Sequence, residues 1–307
     1  MGWMSRAGRG WLRGAAGVRA GWRGLAYLLI ALVLVAVEIA ALAWLKPPWV
    51  RPTALLSPRI VLLNEALLLV PIYLASQAMA RAEGQDVAAF GLRQKRPVRA
   101  LAWGLAAGIA VLSLLIALLW GGGLARISLQ GLGLGVAVAS LAAWFGVSLL
   151  VGFTEELGLR GYPLVALARG TGFWPAALIT SLVFALLHIS NGHESVVGIV
   201  NVFGAGMILC LARQRTGGLW WPIGFHTGWD FAQNVIFGTH DSGQGCAGAL
   251  LSTLPAGPAW LSGGLTGPEG SVIGLGVELL VAAAILTCPP PARNDFDMDP
   301  VSYTHLT

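Results

Sequence analysis

Apolar residues run along this chain in blocks about as long as a membrane helix, separated by short polar stretches. A helix needs about 20 apolar residues to cross roughly 30 Å of hydrocarbon. Runs at 25–45, 60–79, 100–120, 173–189, 196–212, 219–237 and 271–288 meet that requirement. A further apolar stretch between Leu129 and Arg169 is too long for one crossing and carries charges in its second half. Its crossing is placed at about 143–169, with a kink at 161–163 where the ring of Pro163 removes a backbone bond. The expected fold is an all-α membrane protein, a polytopic bundle of about eight transmembrane helices forming one domain over 25–288.

Basic residues orient such a bundle, because they gather in cytoplasmic loops. Those at 6–23, 81–99, 169, 213, 215 and 293 fall on one side, against Lys46, Arg51, Arg59 and Arg126 on the other. Both termini are therefore expected in the cytoplasm, with 1–24 as a basic leader and 289–307 as a tail. The first run could pass for a secretory signal, since Ala41 and Ala43 form a cleavage-like pattern. It contains Glu38 and exceeds the ~7 to 15 residues of a signal core, so a signal-anchor is the better reading. Arg6 stands where N-myristoylation needs Ser or Thr. Val301 to Thr307 reads VSYTHLT, like translated sequencing-adapter DNA, and is set aside from fold reasoning. The one long connection, 238–270, is free of Lys and Arg and is expected outside, touching the membrane surface through Leu250, Leu251, Leu254 and Trp260.

Composition agrees with a membrane protein: 56% of residues are hydrophobic and 11% charged, with a mean hydropathy of +0.73. The net charge of +5 would suggest nucleic acid only if the basic residues made a face, and they punctuate apolar runs instead. No nucleic-acid partner is expected. Cys210, Cys246 and Cys288 show no CxxC spacing, so neither a disulfide framework nor a thiolate metal site is indicated.

Within the spans, single polar residues such as Glu38, Asn64, Glu65 and Glu278 are read as helix-contact residues. A cluster is different. Glu155, Glu156 and Arg160 lie together in an otherwise apolar segment. Left unpaired near the bilayer centre, they would cost on the order of 8 to 10 kcal/mol. Glu156 and Arg160 are four apart in the favourable order and can pair within the helix, which leaves Glu155 over. Two other spans supply partners: His188 ends one, and His226 and Asp230 sit one turn apart on another. At 1.5 Å rise per residue all four reach similar depths, so the residues predict a convergent intramembrane site.

The segments EELGLR, FALLH and HTGWD, in this order, resemble the CPBP family of intramembrane proteases, which includes the type II CAAX prenyl endopeptidases and bacteriocin-processing and immunity proteins. The likeness covers roughly 147–237, with a motif core of about 143–237. It implies an endopeptidase in which Glu155 activates water and His188 assists it. His226 and Asp230 then bind the carbonyl oxygen or a metal, and Glu156 and Arg160 lend support. The implied substrate is a membrane-associated peptide or lipidated protein in a lipid bilayer, and the implied location a bacterial cytoplasmic membrane. Where prenyl-processing members carry Asn, this chain has Asp230, which when ionised only accepts hydrogen bonds. Glu155, His188 and His226 could form a catalytic zinc set, while a metal-free glutamate mechanism is equally consistent. The alternatives are a peptide-binding immunity protein without catalysis and a small-solute transporter.

Overall fold

The computed structural model describes residues 13–14, 17–45 and 55–289. Most of the basic leader, Lys46, Arg51, and the tail from 290, including 301–307, lie outside the described residues. What is described is an all-α membrane protein. The helices are α1 (Ala20–Leu45), α2 (Pro58–Ala82), α3 (Pro97–Gly121), α4 (Leu134–Glu156), α5 (Tyr162–Thr171), α6 (Phe173–His188), α7 (Val196–Thr216), α8 (Trp220–Phe231) and α9 (Val272–Thr287). Four helical runs, α1, α2, α3 and α7, and the continuous run Leu134–Thr171 are long and apolar enough to cross a membrane; α6 and α9 are shorter apolar helices.

Local chemistry starts and stops these helices. Ser57 caps α2 by accepting from the Ile60 amide, Ser195 caps α7 from Gly198, and Ser271 caps α9 from Ile273. Such caps satisfy amides that a helix start leaves without partners. Pro58 and Pro97 occupy first-turn positions, where a missing N–H costs nothing. Gly172 (φ 86°) separates α5 from α6 and lets the chain reverse.

Two π turns interrupt the regular helices. Leu157–Gly161 joins α4 to α5, so the sequence-expected span at 143–169 is a helical run that begins earlier, at Leu134. The interruption falls just before Pro163. Ala232–Phe237 extends α8. π turns widen the ladder and leave carbonyls to be satisfied from outside. Here Tyr27 of α1 donates its hydroxyl to Gly158 O (3.0 Å), and Arg213 of α7 donates Nε to Arg160 O (2.8 Å).

Helix α8 lies at the centre, against α3, α4 and α7, while α1 packs on α2 and α5, and α6 on α5 and α7. Leu29, Val33, Val37 and Ile39 of α1 point outward, as a lipid-facing surface requires. At one end Glu83 gathers Arg23 (3.0 Å), Tyr162 (2.7 Å) and Arg169 (3.3 Å), tying α1, α2 and α5 together. At the other end, the connection 238–270 forms more than a surface loop. Its strand Leu251–Pro255 pairs antiparallel with Ala125–Leu129, in a register that sets Ile127 opposite Thr253. Leu254 and Trp260 remain exposed, and Asp241 and Ser242 fold back over the bundle.

Candidate active site

The site is assembled from α4, α6 and α8. Glu155 and Glu156 are the last residues of α4 and diverge because successive helical residues point about 100° apart. Glu156 is fully buried and accepts from Arg160 Nη1 at 2.9 Å and from His226 Nδ1 at 3.1 Å. A carboxylate oxygen only accepts, so Nδ1 of His226 carries the proton and Nε2 is directed elsewhere. That atom lies 3.6 Å from Glu155 Oε2 and 3.7 Å from Asp230 Oδ2. The Arg160 guanidinium stacks on the Phe184 ring, 4.4 Å from its centroid. The ring of Phe184 in turn packs edge-on against His188 and His226.

Glu155, His226 and Asp230 are thus brought together, and Glu156 with Arg160 forms the pair that their spacing predicts. His188 takes a different place. Its Nδ1 bonds to Phe184 O of its own helix (2.9 Å), and its ring reaches the others across Phe184. It still lines the same cavity, of about 490 Å³, together with Glu155, His226 and Asp230. The walls are largely apolar, with Leu28, Leu32 and Val35 from α1 and Leu187 from α6.

Three acids beyond those the motifs supply line this cavity or the chamber beside it. Glu65, read from the sequence as a helix-contact residue, lines the wall with Glu155, and its Oε2 is buried without a hydrogen-bond partner. This corrects the sequence reading: an isolated acid in a span gives no sign of which cavity it faces. Glu278, read in the same way, lines a smaller chamber of about 110 Å³ behind His226 and Asp230. Asp241 lines both spaces and accepts from Asn234 Nδ2 at 2.8 Å. Burial raises the Asp241 carboxyl above its ordinary range, although Asn234 and the two imidazoles pull the other way. Burial, reinforced by Asp241, likewise raises Glu269 well above the usual carboxylate range. No motif flags Asp241, which lies in the connection after α8.

Residues 136–232, from the start of α4 to the end of α8, match the model of the family described as Type II CAAX prenyl endopeptidase Rce1-like. Over this segment the chain is similar to that family. No curated protein and no solved structure matches the chain. The matched segment contains Glu155, Glu156, Arg160, His188, His226 and Asp230, whereas Glu65, Asp241 and Glu278 come from outside it.

Whether these residues fit a metal can be judged from their placement. Among the described residues, no three His, Cys, Asp or Glu side chains group so as to hold a metal ion. The set Glu155, His188 and His226 is not gathered around one point, because the Phe184 ring packs against both imidazoles. As placed, the residues do not fit a zinc centre.

Proposed function

We propose that this protein is an intramembrane endopeptidase that hydrolyses a peptide bond in a membrane-associated or lipidated substrate, using water activated by Glu155. The observation that carries this reading is the approach of Glu155 Oε2 to His226 Nε2, 3.6 Å, inside a cavity walled by membrane helices. Amide hydrolysis needs a base for the water and a stabiliser for the developing oxyanion, and a preorganised, water-poor pocket strengthens both.

Glu155 is the base, its Oε2 having no hydrogen-bond partner in the resting site. His226, with carboxylates facing both ring nitrogens, acts in its doubly protonated form and presents Nε2–H to the scissile carbonyl, oriented by the Nδ1 bond to Glu156, which Arg160 holds in turn. Asp230 is an orienting group for His226 rather than an oxyanion donor, since an ionised carboxylate has no proton to give. His188 lines the same cavity, its Nε2 making no hydrogen bond among the described residues. The apolar lining from α1 and α6 suits a lipid-modified or apolar segment. The Glu83 end, where Arg81, Arg93, Lys95, Arg96 and Arg99 gather on neighbouring connections, faces the cytoplasm in this reading, with about eight crossings in a bacterial membrane.

The test is to incubate purified protein and its Glu155→Gln variant with host membrane proteins in lipid nanodiscs and map new peptide termini. Termini produced by the wild type and absent with the variant are expected. Identical termini from both would remove Glu155 from the chemistry, and none from either would favour a binding protein.

A further inference from the structure

Amide cleavage poses two proton problems, and the residues described so far solve one. Glu155 can take a proton from water, but the C–N bond breaks only if the departing nitrogen receives one. Neutral His188 cannot supply it. Its Nδ1 faces a carbonyl oxygen, which only accepts, so the ring proton sits there and Nε2 offers a lone pair.

We propose that Asp241 is the proton donor to the leaving amine, completing the catalytic site from the connection that covers its mouth; this rests on the endopeptidase reading above. Asp241 lines the cavity with Glu155, His226 and Asp230. One of its oxygens, Oδ2, is held by Asn234 at 2.8 Å, and Oδ1 makes no hydrogen bond among the described residues. Asn234 is itself fixed, accepting the Cys246 thiol on its carbonyl oxygen.

The backbone leaves Asp241 little freedom. Its amide donates to Gln244 O (2.8 Å), and the Gln244 amide donates back to Asp241 O (2.9 Å). The two residues between them, Ser242 (φ 45°) and Gly243 (φ 84°), are both left-handed, as a tight two-residue hairpin turn demands. A side chain at 243 would overlap the carbonyl oxygen of Gly192, so the turn is also locked against the α6–α7 connection. The Ser242 amide donates to Glu269. A single carboxyl group is thereby held rigidly with one oxygen open to the reaction space. Its burial-raised pKa favours the protonated form that a donor needs.

The step balances. The water oxygen bonds to the carbonyl carbon while its proton passes to Glu155. The C–N pair leaves with nitrogen, which takes the Asp241 proton. Asp241 ends as a carboxylate and regains its proton from Glu155 through solvent in the cavity, giving one acid and one amine per water consumed.

The probe is a host peptide that the wild type cuts and Glu155→Gln leaves whole, synthesised also with a thioester at the cleaved bond. A thiolate leaves without protonation. Asp241→Asn is expected to lose about 10²-fold or more on the peptide while cleaving the thioester within a few-fold of wild type. Asp241→Glu, which keeps an acid, is expected to recover part of the peptide activity. Equal loss on both substrates in both variants assigns Asp241 a structural role and overturns the proposal, as does undiminished peptide cleavage by Asp241→Asn. If the wild type yields no such peptide, the endopeptidase reading itself fails and takes the donor with it.

Discussion

The Glu156–Arg160 pair is fully buried and joined to His226, so each member is expensive to remove alone. Breaking a buried pair from one side leaves an uncompensated charge and costs about 3–5 kcal/mol. Arg160→Met and Glu156→Gln are each expected to lower thermal stability by that order, read by unfolding in detergent. The double variant removes both charges and is expected to recover much of the stability. It should not recover activity, because His226 keeps a weaker Nδ1 partner and loses the orientation that Glu156 enforces. Parallel recovery of both would show that the pair serves packing alone. This pair was legible in the sequence because four-residue spacing on a helix is a local rule. Asp241 was not, since its role depends on a connection folding back over helices far from it in sequence.

At the scale of elements, α8 is aligned by glycines. A Cβ at Gly104 or Gly108 of α3 would overlap the carbonyl oxygens of Trp221 or Phe225, and one at Gly224 or Gly228 would overlap those of Leu101 or Leu105. The two GxxxG faces thus let the backbones of α3 and α8 touch, the close approach by which membrane helices associate. Because α8 carries His226 and Asp230, the contact also sets where those groups sit. Gly228→Ala is expected to cost about 1–3 kcal/mol through overpacking and to reduce turnover beyond what that instability explains. Gly146→Ala, at a position with no neighbour near the added carbon, should change neither. The glycine spacing is plain in the sequence, but nothing there says which two helices it joins. A second expectation at this scale concerns Glu269. Its folded-state pKa is raised, so its contribution to stability is full below the ordinary glutamate range and is lost as pH rises through the folded value. Amides around Ser242, which donates to Glu269, should therefore exchange more slowly at pH 5 than at pH 8 after correction for intrinsic rates. Glu269→Gln should flatten that difference.

For the whole molecule, the hydropathy blocks correctly foretold helices, since a chain in lipid must satisfy its backbone internally. They also marked crossings at 173–189 and 271–288, where the apolar helices α6 and α9 are shorter than the usual crossing length. The bundle as assembled makes two global statements testable. One concerns metals: with no three ligand side chains gathered among the described residues, peptide cleavage is expected to survive prolonged chelation, and loss restored by zinc would show that the substrate complex gathers a centre absent from the resting site. The other concerns sidedness. Arg23, Arg169 and Glu83 share one end with the close of α7, where Arg215 donates to Cys288 O (2.8 Å), whereas Asp241, Glu269 and Cys246 share the opposite end. The positive end should face the cytoplasm. The three cysteines report on this without added labels, since Cys210 is buried, Cys246 is engaged with Asn234 and Cys288 is exposed. In inside-out vesicles a membrane-impermeant maleimide is expected to modify Cys288 readily, and in right-side-out vesicles only after permeabilisation. The reverse pattern would place the basic connections outside and bring substrate to Glu155 from the other face of the membrane.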